Sequence, residues 1–271
     1  MQSIEFLDKE NIIDTQNKPI IVHASDQNYY YCKYHNGTGA AYRLFKEYLI
    51  SCFTIYWGLN QTDVKFIEVQ PEHVPINLGI PKRCFTAPCF GSKKILDAVM
   101  LSKMYEDVLL KSKGRQNIKK DIFTISFFDM IFANEDRHMN NYNILFSQAS
   151  NEYLLYPIDH EACFNHGNID KNMVALTYED TLIYSDIFNK LFNNTELKDK
   201  VTLAQAKDKY YLCYRNCINK IEEIVALTPK AWQIDINQMT GRLKSFLTDE
   251  WFNECWREFL MLLQLFISDT R

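Results

Sequence analysis

Apolar and polar positions repeat in two ways along this chain, and the pattern changes about a third of the way in. Residues 20–34 hold a short apolar run, Ile20-Ile21-Val22, then the polar Ser25-Asp26-Gln27-Asn28, then Tyr29-Tyr30-Tyr31-Cys32-Lys33-Tyr34. Branched and aromatic runs split by such a polar cluster predict two strands joined by a short loop. After a glycine-containing turn at 35–39, Leu44, Phe45, Tyr48, Leu49, Cys52, Phe53 and Tyr56 recur at intervals of three and four. That spacing predicts an amphipathic helix over Ala40–Trp57. Val64–Val69 reads as a further strand, closed by Pro71 and Pro75, and Cys84–Gly91 as a short strand leading into a linker.

Beyond Gly91 helical spacing dominates. Ser92–Leu110 and Ile118–Ala133 carry it on either side of a basic loop, Lys111–Arg115. Asn143–Phe146 and Tyr153–Ile158 predict two strands around a polar turn at Ser147–Glu152, and Leu197–Leu227 and Thr248–Phe266 predict long helices. In the last, Thr248 is a suitable N-cap, with Asp249 and Glu250 in the first turn where acids suit the helix dipole. The expected class is therefore α+β and bilobal. Residues 1–91 form a small strand-rich lobe with one main helix, and residues 92–271 a larger, mostly helical lobe.

Composition removes several function classes. Aromatic residues make up 14% of the 271, too many for a disordered chain. No G-x-x-x-x-G-K occurs, which excludes a Walker-type nucleotide site, and Gly37-x-Gly39 is followed by Tyr42 where a Rossmann fingerprint needs glycine. A formal net charge of -4 and a pI near 5.9 argue against a broad nucleic-acid footprint. The run Lys111, Lys113, Arg115, Lys119, Lys120 reads as a solubilising loop. The 8 cysteines include no C-x-x-C pair, so reduced thiols in a cytoplasm are expected. Met1–Asn11 is acidic where a secretory leader is basic, and Tyr48–Trp57 and Phe259–Ile267 are too short to span a bilayer. A cytoplasmic protein without membrane contact is the expectation.

The densest polar segment follows a predicted apolar helix: Asn134-Glu135-Asp136-Arg137-His138-Met139-Asn140-Asn141. The next hairpin ends in Tyr156-Pro157-Ile158-Asp159-His160, so it can return Asp159 beside Asp136 and Asn141. Two aspartates and an asparagine oxygen are hard ligands suited to Mg²⁺, which keeps water and substrate phosphates as its other ligands. Phosphoryl transfer needs little beyond that clamp, a carboxylate to orient a hydroxyl, and a cation on the phosphates. Lys33 at the end of a strand and Glu47 on the next helix supply the cation and its partner. Alone, a strand lysine usually snorkels to solvent and a helix glutamate usually solvates a face. The combined order of strand lysine, helix glutamate, D-x-x-x-x-N loop, hairpin and aspartate is far less common by chance.

These motifs resemble the HipA-like kinases and, more distantly, the catalytic loop of phosphatidylinositol kinases. The resemblance rests on Asn134-x-Asp136-Arg137-His138-x-x-Asn141, Ile158-Asp159-His160, the Tyr31–Tyr34 strand, the helix with Glu47, and a Phe90-Gly91-Ser92 linker. It covers residues 20–165. It implies a protein-kinase-like fold, ATP with Mg²⁺ as cofactors, and phosphorylation of serine or threonine. By that likeness Asp136 is the catalytic base, Asn141 and Asp159 hold metal, Lys33 meets the α- and β-phosphates, and Glu47 orients Lys33. Ser25 lies in the expected phosphate-covering turn, Ala24–Asn28, where its phosphorylation would be inhibitory. Phe90, with Phe85 and Pro88, lines the adenine pocket, and His138 braces the catalytic loop. The implied partners are a protein substrate and an antitoxin or DNA-binding protein, the chain being the toxin half of such a pair. Two departures stand out: Ala24–Asn28 contains no glycine, and His160-Glu161 follows the metal aspartate where glycine is usual. A non-catalytic nucleotide-binding module, or a kinase for a lipid or small-molecule hydroxyl, therefore stays open.

Overall fold

The computed structural model describes residues 1–15, 17–149, 152–167 and 169–269. The first lobe is built on β1 (Ile20–His23), β2 (Tyr29–Lys33), α1 (Ala40–Tyr56), β3 (Val64–Ile67) and β4 (Cys89–Lys93). The strands form an antiparallel sheet in the order β1-β2-β4-β3, and α1 enters after the second strand. Alternation sets its faces: Ile20, Val22, Tyr30, Cys32, Ile67 and Cys89 are buried in a small core with Leu7, Val74 and Leu78. Gly91 lies at the middle of the central strand. A Cβ there would come 2.8 Å from Ile67 Cγ1 and 3.3 Å from Cys32 Sγ, so close strand packing excludes a side chain.

The second lobe continues with β5 (Val99–Met100), α2 (Glu106–Leu110), α3 (Arg115–Ile131), β6 (Ile144–Ala149) and β7 (Glu152–Pro157), then α4 (Asp186–Leu191), α5 (Asn194–Leu197), α6 (Lys200–Ala226), α7 (Ile236–Phe246) and α8 (Asp249–Asp269). β5-β6-β7 make a second antiparallel sheet. From Thr124 to Ile131 every residue of α3 is buried, as befits a central helix. Its aromatic residues meet α1, α6 and α8: Phe127 is 5.4 Å from Tyr210 and 5.0 Å from Trp256, ring centroid to centroid. Trp57, at the end of α1, packs 5.4 Å from Phe128 and 5.4 Å from Tyr210. Thus α1, although it belongs to the first sheet by sequence, shares the core of the second lobe. The bilobal α+β architecture is as expected. Thr248 Oγ1 accepts from Trp251 N at 3.2 Å, capping α8.

Three expectations need correction. Phe90-Gly91-Ser92 is no linker, because β4 pairs with strands on both sides through Ser92. Ser92–Leu110 is not a helix either: it finishes β4, crosses between the lobes, and contributes β5 and the short α2. Its periodic apolar residues Leu96, Val99, Met100, Met104 and Val108 face outward. Leu197–Leu227 is broken before α6, where Asp199 leaves the helical path and accepts from Val201 N at 3.1 Å. α4 and α7 were not anticipated. All eight cysteines are free, and Cys217 is buried with Sγ against Phe53 O. Among the described residues, no helix is long and apolar enough to cross a membrane.

Candidate active site

A cleft of about 710 Å³ runs between the lobes, and Lys33, Glu47, Phe90, Asp136, Asn141 and Asp159 all line it. β2 ends at Lys33, directly opposite Phe90 of β4. The Lys33 ammonium bonds Glu47 Oε1 and lies 2.6 Å from Asp159 Oδ1 and 3.6 Å from Glu161 Oε2. Burial works against its charge, but Glu47, Asp159 and Glu161 outweigh that and hold its pKa above the usual lysine range. Burial pushes Glu47 up to about 7 against the pull of Lys33, with Asp159 and Glu161 adding to the rise. Burial also disfavours the Asp159 carboxylate, yet the Lys33 ammonium overrides it and keeps the group below its ordinary value. One ammonium is thus shared among three carboxylates.

The loop over 134–143 is organised by Arg137, which is absent from the cleft wall. Arg137 is fully buried, pairs with the buried Asp129 of α3, and donates to Ile158 O at 2.7 Å and Asn143 O at 3.3 Å. It ties α3, the 134–143 loop and the segment bearing Asp159 into one unit. Asp159 takes φ +59° and Asn143 φ +45°, a left-handed conformation that Asp and Asn tolerate better than most residues. His160 packs behind Asp159, and burial together with Arg137 holds its imidazole well below the usual histidine pKa, hence neutral. His138 Nδ1 accepts from Asn140 N at 3.3 Å, so it braces the turn.

Asp136 is gripped from both sides. Asn141 Nδ2 donates to its Oδ1 at 3.1 Å, and Asn143 Nδ2 donates to its Oδ2 at 2.8 Å; each also donates to Asp136 O. With its amide nitrogen so engaged, Asn141 has its carbonyl oxygen available as a cation ligand. Glu47, Asp159 and Glu161 offer three carboxylate oxygens within 4.8 Å of one another. Among the described residues of the cleft wall the opposing ammoniums are Lys33, which touches all three, and Lys93. An oxygen-rich, net-negative pocket of this kind fits a hard divalent cation.

Ser25 lies elsewhere. It is exposed, its N–H donates to Gln2 O at 2.9 Å, and it is absent from the cleft wall. The hairpin that covers the cleft is the previous one, closed by the Ile12–Ile20 bridge and by Ile13 N to Pro19 O at 2.8 Å. Ile13, Thr15, Asn17 and Pro19 face the cleft, and Asn17 Nδ2 donates to Glu161 Oε1. The sequence pattern hides it because a single bridge marks the pairing and Ile12-Ile13 is too short an apolar run to read as a strand. Phe85 and Pro88 also differ from expectation: Phe85 packs on Tyr34 in the small core, and Pro88 O accepts from Trp232 Nε1 at 2.7 Å. The residues Ile95, Ala98 and Met100 of the crossing take their place along the cleft. Arg137 and Asn143 have no assigned role in the sequence reading, although both lie within or beside the quoted motifs, while Glu161 stands out there as the acid that follows Asp159 in place of a glycine.

A strand lysine paired to a helix glutamate under a small sheet, facing a D-x-x-x-x-N loop and a second aspartate across a cleft, defines a protein-kinase-like fold. The profile of the HipA-like kinase family matches residues 5–253, and the chain belongs to that family. The crystal structure of the Helicobacter pylori proinflammatory kinase CtkA is similar over 98% of both chains, with a TM-score of 0.54 at 16% identity. No curated protein matches the chain. The protein is thus a kinase by family, and kinase membership implies ATP as the phosphoryl donor.

Proposed function

We propose that the protein is an active kinase that transfers the γ-phosphoryl group of ATP, with Mg²⁺, to a serine or threonine hydroxyl of a protein. The observation that carries this reading is the Asp136 carboxylate, held by Asn141 and Asn143 in the same cleft as the Lys33–Glu47–Asp159 cluster. Asn141 and Asp159, with Glu161 near, would hold the metal, which supplies charge neutralisation on the phosphates. Lys33 exchanges Asp159 for the α- and β-phosphates, and Glu47 keeps its ammonium in place. Asp136 accepts the proton of the acceptor hydroxyl as its oxygen bonds to the γ-phosphorus; the bond to the β–γ bridging oxygen breaks, and ADP leaves. Phe90 flanks the adenine. The covering role passes from the turn with Ser25 to Ile13–Pro19.

We extend the proposal, on the sequence resemblance alone, to a cytoplasmic toxin held by an antitoxin or DNA-binding partner, and co-purification with the product of an adjacent gene tests that part. Transfer of labelled phosphate from ATP to an added protein mixture tests the enzyme itself. Nucleotide binding without any transfer would instead mark a pseudokinase.

A further inference from the structure

A second cavity, of about 490 Å³, opens against the same catalytic loop. Met100, Asn141 and Asn143 line both cavities, and these are the two asparagines that grip the Asp136 carboxylate. A group seated here is one side chain away from the proposed base. None of Lys33, Glu47 or Asp159 faces it, so nucleotide binding leaves it without a role.

Its chemistry is specific. Met100, Met104 and Met139 contribute flexible thioether side chains to the wall, and Met104 is 73% exposed. Leu96, Val99 and Val108, on the same stretch of chain, are exposed as well, so the apolar surface is continuous in sequence with the cavity. Methionine surfaces adapt to varied apolar side chains. Among the described residues the only charged side chain in the wall is Lys103, and Asp186 Oδ2 holds it at 2.8 Å. The same residues offer no carboxylate in the wall for a basic residue and no unpaired cation for a phosphate-bearing headgroup. Ser102 and Asn140 add neutral donors and acceptors of the kind a peptide main chain uses.

We propose that this cavity is the acceptor site, and that it takes a polypeptide segment with a bulky uncharged side chain beside the phosphorylated serine or threonine. The inference rests on the kinase reading above. A lipid headgroup would bring phosphates with no free cation to meet them, and a sugar hydroxyl would leave three methionines facing water.

The test is a positional-scanning library of serine and threonine peptides phosphorylated by the full chain with Mg·ATP, beside Met104→Glu and Met104→Leu. Peptides with Leu, Met, Ile or Phe at one flanking position should be favoured over those with Lys, Arg, Asp or Glu by roughly tenfold or more, the usual scale for filling an apolar pocket. Met104→Glu should raise KM for the favoured peptides by a similar factor and shift preference toward Lys and Arg, while Met104→Leu keeps the wild-type pattern. Calorimetric ATP affinity should be the same in all three proteins. Peptide phosphorylation without an apolar preference, or with a preference that Met104→Glu does not alter, overturns the cavity assignment alone. Transfer to a lipid or sugar hydroxyl but to no peptide overturns the polypeptide. No transfer to any acceptor, including the protein itself, contradicts the kinase reading.

Discussion

Lys33 and Asp159 stand 126 residues apart in sequence, yet their charged ends lie 2.6 Å apart across the cleft. The contact joins the sheet of the first lobe to the segment that follows the second hairpin, and Glu47 reaches the same ammonium from α1. Because α1 is anchored by Trp57 among Phe128 and Tyr210 of the second lobe, this alignment is built into the core.

Replacing Lys33 with Ala should therefore weaken ATP binding and turnover together. A charge-assisted bond of about 1.5–3 kcal/mol corresponds to a loss of roughly tenfold to a hundredfold. Isothermal titration with Mg·ATP reads the first effect and initial phosphotransfer rates the second. Glu47→Gln should be milder, since Glu47 orients the ammonium without touching phosphate. Unchanged affinity in Lys33→Ala would return Lys33 to the role of a solvent-seeking strand residue.

Arg137→Ala should be severely destabilising. It strands the buried Asp129 and deprives Ile158 O of its donor. Breaking a buried pair in this way costs about 3–5 kcal/mol. The double change Arg137→Met with Asp129→Leu should recover part of the stability in urea denaturation, but no activity, because nothing then ties the catalytic loop to the Asp159 segment.

That division explains how far sequence could be read. Lys33, Glu47, Asp136, Asn141 and Asp159 stood out because their residue types fall in a characteristic order on strand, helix, loop and hairpin. Arg137 and Asn143 did not, since their work is done through backbone carbonyls and a neighbour's carboxylate, which leave no spacing signal. Ser92–Leu110 misleads for another reason: Leu101 and Leu109 enter the core, but Leu96, Val99, Met100, Met104 and Val108 are exposed, and periodicity cannot tell such a surface from a core face. Ser25 falls in the expected phosphate-covering turn only if Ile20–Val22 is the first strand. The shorter pairing at Ile12–Ile20 precedes it and carries the covering hairpin.

Gly91→Ala should cost about 1–3 kcal/mol, the usual penalty for overpacking. The new methyl group would meet Ile67 Cγ1 at 2.8 Å in the middle of the sheet. A lowered midpoint in thermal or urea unfolding checks this, and adding Ile67→Val should relieve part of it.

Asp121, on α3, gives the fold a pH dependence separate from catalysis. Burial pushes its carboxyl from 3.8 up to about 6, with Lys120 and Lys209 opposing the rise. The folded state thus binds the proton more tightly than the unfolded state. Its contribution is fully present below pH 3.8 and is lost as pH rises through about 6. Asp121→Asn should remove that slope from stability measured between these limits, and an unaltered slope would show that Asp121 binds its proton equally in the folded and unfolded chain.

The most direct measurement is single-turnover phosphotransfer from labelled ATP by the wild type and Asp136→Asn, with Mg·ATP affinity measured on both. The substitution keeps the size of the side chain and removes the proton acceptor. Loss of a general base lowers the rate by about a hundredfold or more. The wild type should transfer phosphate, and Asp136→Asn should bind ATP within a few-fold of wild type while transfer falls by at least that factor. Equal transfer by the two proteins, or none by the wild type despite tight binding, would contradict Asp136 as the base of an active kinase.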